Sequence, residues 1–325
     1  MELQLDNLRA FLHVAEAGSF TRGAAQLGVP KARVSQQVRR LEHALGCRLL
    51  HRTTRAVRCS PDGERVLARA RSLLDAAQEL QTLFAGDAAL RGRVRVDLPV
   101  RLARRVVIPR LPELLARHPG LELQLSSTDR LVDIVGEGFD AVVRVASLRD
   151  SSLVATRLGA LPMISCASAA YLRARGTPRT VAELDDHVLV HYAADLGADV
   201  PTFEYRERGR TRSRPMRAAV TVNSADAYAA ACLAGLGIIQ APHDGLATAL
   251  QRGELVEILP RLRPAPLPVS LLHPHGRSVP RRVRVVLDWL AALLRAHLDR
   301  HAPPLPATPR ATRSARRAPA RSTRG

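Results

Sequence analysis

The sequence predicts a multidomain chain: an all-α winged helix-turn-helix head, a linker helix, and then an α/β domain. Three observations predict it. Two helical periodicities between Phe20 and Leu45 are broken at Gly28, a single long heptad pattern follows Ser60, and from Val94 onward short apolar strands alternate with helices. At 325 residues and 46% hydrophobic, the chain is long enough for about two or three modest cores rather than one.

The first helix covers about Leu3 to Ala17, with Leu5, Leu8, Phe11, Leu12 and Ala15 on one face and Gly18 as its stop. Ser19 caps a short second helix, Phe20 to Leu27, whose Phe20, Ala24 and Leu27 recur at helical spacing. Gly28, Val29 and Pro30 make the turn. A third helix, Lys31 to Leu45, places Val34, Val38, Leu41 and Leu45 on one buried stripe. Its opposite face carries Lys31, Arg33, Ser35, Gln36, Arg39 and Arg40, side chains that bond phosphates and the base edges of a major groove. After Gly46, residues Arg48 to Cys59 read as two short strands around a tip at Thr53, Thr54 and Arg55, with Arg52, Arg55 and Arg58 placed where a wing meets a sugar-phosphate backbone. An ordinary solvated hairpin is the alternative for these arginines.

Ser60, Pro61 and Asp62 supply a cap, a first-turn proline and a first-turn acid for a helix running to about Ala85. Within it Val66, Ala70, Leu73, Ala77, Leu80 and Phe84 form a heptad seam, the pattern of a dimerisation helix. A helix packed on its own domain is the alternative. A dimer places two recognition helices on half-sites about one or more helical turns apart.

The formal charge is +19, an excess that favours polyanionic partners through counterion release. Lys31 is the single lysine, so this is an arginine-biased composition. Residues 301 to 325 account for six of those charges through Arg310, Arg313, Arg316, Arg317, Arg321 and Arg324, with no acid among them. Rich in Pro, Ala, Ser and Thr, this stretch is expected to be a disordered basic tail that adds nonspecific DNA affinity or is a passive extension. Cys47, Cys59, Cys166 and Cys232 form no CxxC pair and are expected to be four buried thiols. No run reaches the ~18 apolar residues of a membrane span, and the N-terminus lacks the basic start of a signal peptide, so a cytoplasmic protein is expected.

Beyond the linker, Val94 to Leu98 reads as a strand leading into a helical segment near Arg101 to Leu115. Leu121 to Leu125 is a second strand ending in Ser126, Ser127 and Thr128, a helix near Arg130 to Gly136 follows, and Ala141 to Val145 is a third strand. Leu161 to Ala167 crosses into a second lobe, Pro268 to Leu272 crosses back, and Pro280 to Leu298 closes the fold as a helix. Ligands of open α/β sheets bind beyond the carboxyl ends of strands. That singles out Pro99, Val100 and Arg101, then Ser126, Ser127 and Thr128, then Arg144 to Ser147, and Asn223 and Ser224 at a strand-to-helix junction. Arg101 is placed to pair with a carboxylate, or is one more surface arginine. Gly235-Leu236-Gly237 lacks the third glycine of a dinucleotide loop, since position 240 is Gln240, and reads as a helix cap. His187 with His191, and His273 with His275, lack a third ligand, so no metal and no cofactor are expected. Neither a G-x-S-x-G elbow nor a P-loop occurs, and no enzyme is expected.

Leu8-Arg9-Ala10-Phe11, Gly18-Ser19-Phe20-Thr21, Val34-Ser35-Gln36-Gln37-Val38-Arg39-Arg40-Leu41-Glu42, Leu49-Leu50-His51-Arg52-Thr53-Thr54-Arg55 and Pro61-Asp62-Gly63 together resemble a LysR-type transcriptional regulator over residues 1 to about 300. The resemblance implies a winged helix-turn-helix over 1–60, a linker and dimerisation helix over 61–89, and a periplasmic-binding-protein-like (type 2) effector domain of two lobes over 90–300. Lobe I would be 90–162 and 267–300, and lobe II 163–266. It adds Ser19, Thr21, Ala32 and Thr53 to the DNA-facing set, and it places the four groups named above around an effector cleft between the lobes. It implies promoter DNA, a small-molecule effector, further copies of the chain as dimer or tetramer, and RNA polymerase as partners; an anionic effector is one that Arg101 would suit. The rival classes are a solute-binding module that has kept a basic head, and an architectural DNA protein indifferent to metabolites.

Overall fold

The computed structural model describes residues 3–52, 57–82, 90–147, 153–194, 196–197, 200–276 and 279–301. The head is built from α1 (Leu5–Ala17), α2 (Phe20–Leu27), α3 (Lys31–Leu45), β1 (Leu50–Arg52) and β2 (Val57–Cys59). Ser19 caps α2, its hydroxyl accepting the Arg22 amide at 3.4 Å. The turn into α3 rests on Gly28, whose φ of 65° is a left-handed conformation open to glycine at little cost. Phe11, Val14, Val34, Val38, Leu41 and Leu49 are almost wholly buried in one core. Each such side chain contributes about 1.5–3 kcal/mol of burial. The wing strands pair antiparallel, Leu50 opposite Cys59.

The next helix, α4 (Pro61–Thr82), begins where Ser60 Oγ accepts the Gly63 amide at 2.9 Å and donates to the Arg48 carbonyl at 2.6 Å. Gly63 fits there because it lacks a side chain: a Cβ would lie 2.0 Å from the Leu49 carbonyl oxygen. The heptad seam does not act as one surface. Ala70 and Leu74 are buried in the head's own core, and Val66 packs against it. Leu73 and Leu80 stand 50% and 71% exposed, and Phe84 lies outside the described residues. The first turns of α4 therefore hold the head, which corrects the expectation that Val66 and Ala70 face a partner.

The α/β body has two sheets with separate cores. The larger is built from β3 (Arg91–Leu98), β4 (Gly120–Ser127), β5 (Ala141–Val145), β6 (Val154–Leu161) and β14 (Leu267–His273), in the order β4-β3-β5-β14-β6. β3 runs parallel to both neighbours, whereas β14 is antiparallel to β5 and β6. Helix α10 (Arg281–His301) buries Val283, Val286, Leu290, Leu294 and Leu298 against this sheet. Between β3 and β4 the expected single helix is broken into α5 (Val100–Leu102), a π-helical turn (Ala103–Val107), a 3-10 turn (Ile108–Arg110) and α6 (Leu111–Arg117). Pro109 and Pro112 lack the amide hydrogens that a continuous helix needs.

The second sheet is three-stranded, β12 (Ile239–Pro242), β7 (Met163–Ser168) and β13 (Leu255–Ile258), in the order β12-β7-β13. Around it lie α7 (Ala169–Arg175), the parallel pair β8 (Leu189–Tyr192) and β11 (Ala218–Val222), the hairpin β9 (Thr202–Glu207) and β10 (Arg210–Pro215), α8 (Ala225–Leu233), and α9 (His243–Gln251). The chain passes between the sheets twice, at Pro162 and again over residues 259–266.

Three further expectations need correction. No helix forms over 130–136. The segment buries Val132, Ile134 and Phe139 around a turn in which Asp133 Oδ1 accepts the Gly136 amide at 3.0 Å, and Gly138 takes a φ of 67°. Ser126 and Ser127 end strand β4 instead of following it. Cys166 and Cys232 are buried thiols, but Cys47 and Cys59 are only half-buried. Residues 302–325, including the basic tail, lie outside the described residues.

Candidate functional site

Lys31, Ala32, Arg33, Gln36, Arg39 and Arg40 are exposed on α3, with Ser35 half-buried beside them, because Val34, Val38 and Leu41 turn the other face inward. Among the described residues no acid pairs with Lys31, Arg33, Arg39 or Arg40. The first turn of α3 holds no acid either. Cations and helix amides thus face solvent together, an arrangement suited to phosphate and base edges. Thr21 is exposed at the start of α2, while the Ser19 hydroxyl is committed to its cap. Arg52 ends β1, and Thr53 and Arg55 lie outside the described residues. Glu42, which was not singled out from the sequence, joins reader to wing: its Oε1 accepts the Leu49 and Leu50 amides at 2.9 and 3.2 Å.

A cavity of about 350 Å³ opens between the two sheets, near the small end of ordinary ligand pockets. Leu102, Val106, Leu161, Met163, Tyr228 and Leu267 contribute apolar walls. Of the residues expected around a cleft, Pro99, Arg101, Thr128 and Arg144 line it; Val100, Ser126, Ser127, Ser147, Asn223 and Ser224 do not. Ser126 is in the sheet and Ser147 is exposed outside the cavity.

Arg144 is 9% exposed and its Nη1 donates to Asp97 Oδ2 at 2.9 Å, leaving Nη2 with no hydrogen-bond partner. Arg101 donates to the Gly245 carbonyl and lies 3.9 Å from Asp226. Burial, reinforced by Arg105, lowers the Arg101 pKa. Asp129 lies on the larger-sheet side, and its two oxygens accept from both sides of the cavity: the Val100 amide at 3.2 Å and the Ala225 amide, the first of α8, at 2.8 Å. Burial, with Asp129 adding to it, pushes Tyr192 up to about 12. Gln240 spans a further junction, its side chain accepting from the Glu204 amide at 2.8 Å and donating to Ser165 Oγ at 2.9 Å. Asp129 and Gln240 were not read as site residues, since their partners are far away in sequence. The ring centroids of His273 and His275 lie 6.0 Å apart, and among the described residues no cluster of three His, Cys, Asp or Glu side chains is arranged for a metal.

Head and body also meet through charge. Glu16 of α1 accepts from Arg71 of α4 at 2.9 and 3.0 Å and from Arg93 of β3 at 2.8 and 3.0 Å. Burial works against its ionisation, but the Arg93 and Arg71 guanidiniums outweigh it and hold the carboxyl below its ordinary range.

Comparison with known proteins gives a consistent pattern. The family of bacterial regulatory helix-turn-helix proteins of the lysR type matches residues 5–64, and the LysR substrate binding domain family matches residues 87–295. An uncharacterised HTH-type transcriptional regulator of Escherichia coli is 42% identical over 90% of this chain and 98% of its own length. An HTH-type transcriptional repressor of Pseudomonas aeruginosa is 36% identical over 89% and 92%. Among solved structures, CrgA from Neisseria meningitidis, a LysR-type transcriptional regulator, is similar at 26% identity and a TM-score of 0.55 over 90% of this chain and 99% of that one. The full-length Vibrio cholerae virulence activator AphB is similar at 27% identity and a TM-score of 0.54 over 89% and 99%.

Proposed function

Because the chain belongs to the LysR-type family of transcriptional regulators, we propose that it binds paired half-sites in promoter DNA through α3 and its wing, as a dimer or tetramer, and answers a small molecule held in the cavity between its sheets. The observation that carries this reading is the exposed cationic face of α3, backed by a buried stripe and braced to the wing by Glu42. The reading set is Thr21, Lys31, Ala32, Arg33, Ser35, Gln36, Arg39, Arg40, Arg52, Thr53 and Arg55, with Ser19 holding α2 in place. The exposed Leu73 and Leu80 of α4 are the dimer-facing residues. Residues 90–162 and 267–300 act as one lobe and 163–266 as the other, and an effector shifts the heads only by its differential affinity for two lobe arrangements. The protein works without catalysis in the cytoplasm, where it reaches DNA and RNA polymerase.

Footprinting on the promoter region beside its own gene, against scrambled DNA at fixed near-physiological salt, tests this. Protection over paired half-sites is expected. Equal and steeply salt-dependent binding to both DNAs would leave a charge-driven binder. Arg33→Ala should weaken specific binding by ~1–3 kcal/mol and relax one base position.

A further inference from the structure

The cavity contains an anion of its own. Ser224 stands at the N-cap of α8 but its side chain makes no cap bond, and the Ala225 amide is taken instead by Asp129 Oδ2 from across the cavity. The other oxygen of Asp129 takes the Val100 amide, the first of α5, just past β3. One carboxylate thus joins two backbone donors, one beside each sheet, from positions 29 and 96 residues away in sequence. A carboxylate ligand entering between lobes would seek such a converging pair of donors. Here that pair is already engaged. Among the described residues the cavity's unpartnered buried donors are Nη2 of Arg144, on a residue 9% exposed and otherwise neutralised by Asp97, and Nε of Arg101, 3.9 Å from Asp226.

We propose that Asp129 is the specificity-determining residue of this cavity, a resident carboxylate that fills the interlobe donor pair and bars an acid group from it. The effector class that fits is a small amphiphile with an apolar body against Leu102, Leu161 and Met163. It offers a hydrogen-bond acceptor to Arg144, and toward Asp129 it presents a hydroxyl or amino donor instead of a second acid. This rests on the reading of the cavity as the effector site.

The test removes the resident anion and supplies a replacement. Full-length Asp129→Ala and Asp129→Ser are titrated with sodium acetate at constant ionic strength, with acetamide and chloride as controls, following the thermal unfolding midpoint without DNA. In both variants acetate is expected to raise the midpoint saturably, at a half-saturating concentration at least about tenfold below any effect in the wild type. Acetamide and chloride should do nothing. A wild type that responds to acetate as the variants do, or variants that respond to none of the three, would overturn the proposal. Footprinting is read separately on DNA, so a failed acetate titration with an intact footprint removes the role of Asp129 and leaves the regulator standing.

Discussion

Asp97 has no exposed surface, and Arg144 meets it at 2.9 Å, so the pair's value lies in neither charge being left alone. Arg144→Ala should cost about 3–5 kcal/mol, because it strands a buried carboxylate. The double change Asp97→Leu with Arg144→Met should recover most of that loss. Urea unfolding followed by the fluorescence of Trp289, the single tryptophan, reads this directly, since Trp289 packs against the same core. Equal losses in the single and double variants would mean that packing rather than charge dominates. Glu42 is a parallel case: Glu42→Ala releases the amides of Leu49 and Leu50 and should cost ~1–3 kcal/mol of head stability. The same change should loosen the wing, seen as weaker DNA binding at fixed salt.

Helix α4 divides its work along its length. Leu74, 7% exposed, belongs to the head, whereas Leu80, 71% exposed, does not. Leu74→Ala is therefore expected to lower the head's unfolding free energy by ~2–5 kcal/mol. Leu80→Glu should leave folding intact and shift sedimentation toward monomer. A stable dimer in Leu80→Glu would move the interface elsewhere. The heptad spacing read from sequence was regular across both halves, and only the docking of the head shows which residues it spends internally. The segment over 130–136 carries the same lesson: it reads as a helix along the chain, yet it buries Val132 and Ile134 beside Phe139 around a turn closed by Asp133.

At the scale of the whole molecule, Glu16 ties the head to the linker helix and to the first strand of the body. Its carboxyl ionises below the ordinary value of 4.5 in the folded chain, so its contribution to stability is fully present above that value and is lost as pH falls through the folded pKa. Glu16→Gln should lower the thermal midpoint at pH 6–7. The gap between variant and wild type should begin to narrow as pH falls through about 4.5 and close only below the depressed folded pKa, where the wild-type carboxyl is itself protonated. A gap that persists unchanged into acid would assign the loss to packing.

The sequence by itself determined the head, the long helix behind it, the alternation of strands and helices in the body, and the family. Helical periodicity, caps such as Ser19 and stops such as Gly28 act between residues a few positions apart, so they can be read along the chain. Only the tertiary structure decided what fills the space between the sheets. Asp129 finds its amides 29 and 96 residues away, Arg144 finds Asp97 at 47, and Glu16 finds Arg93 at 77. Polar partners in a buried site are chosen by proximity after folding, because each buried group must find some partner wherever the chain happens to bring one. No local pattern records that choice.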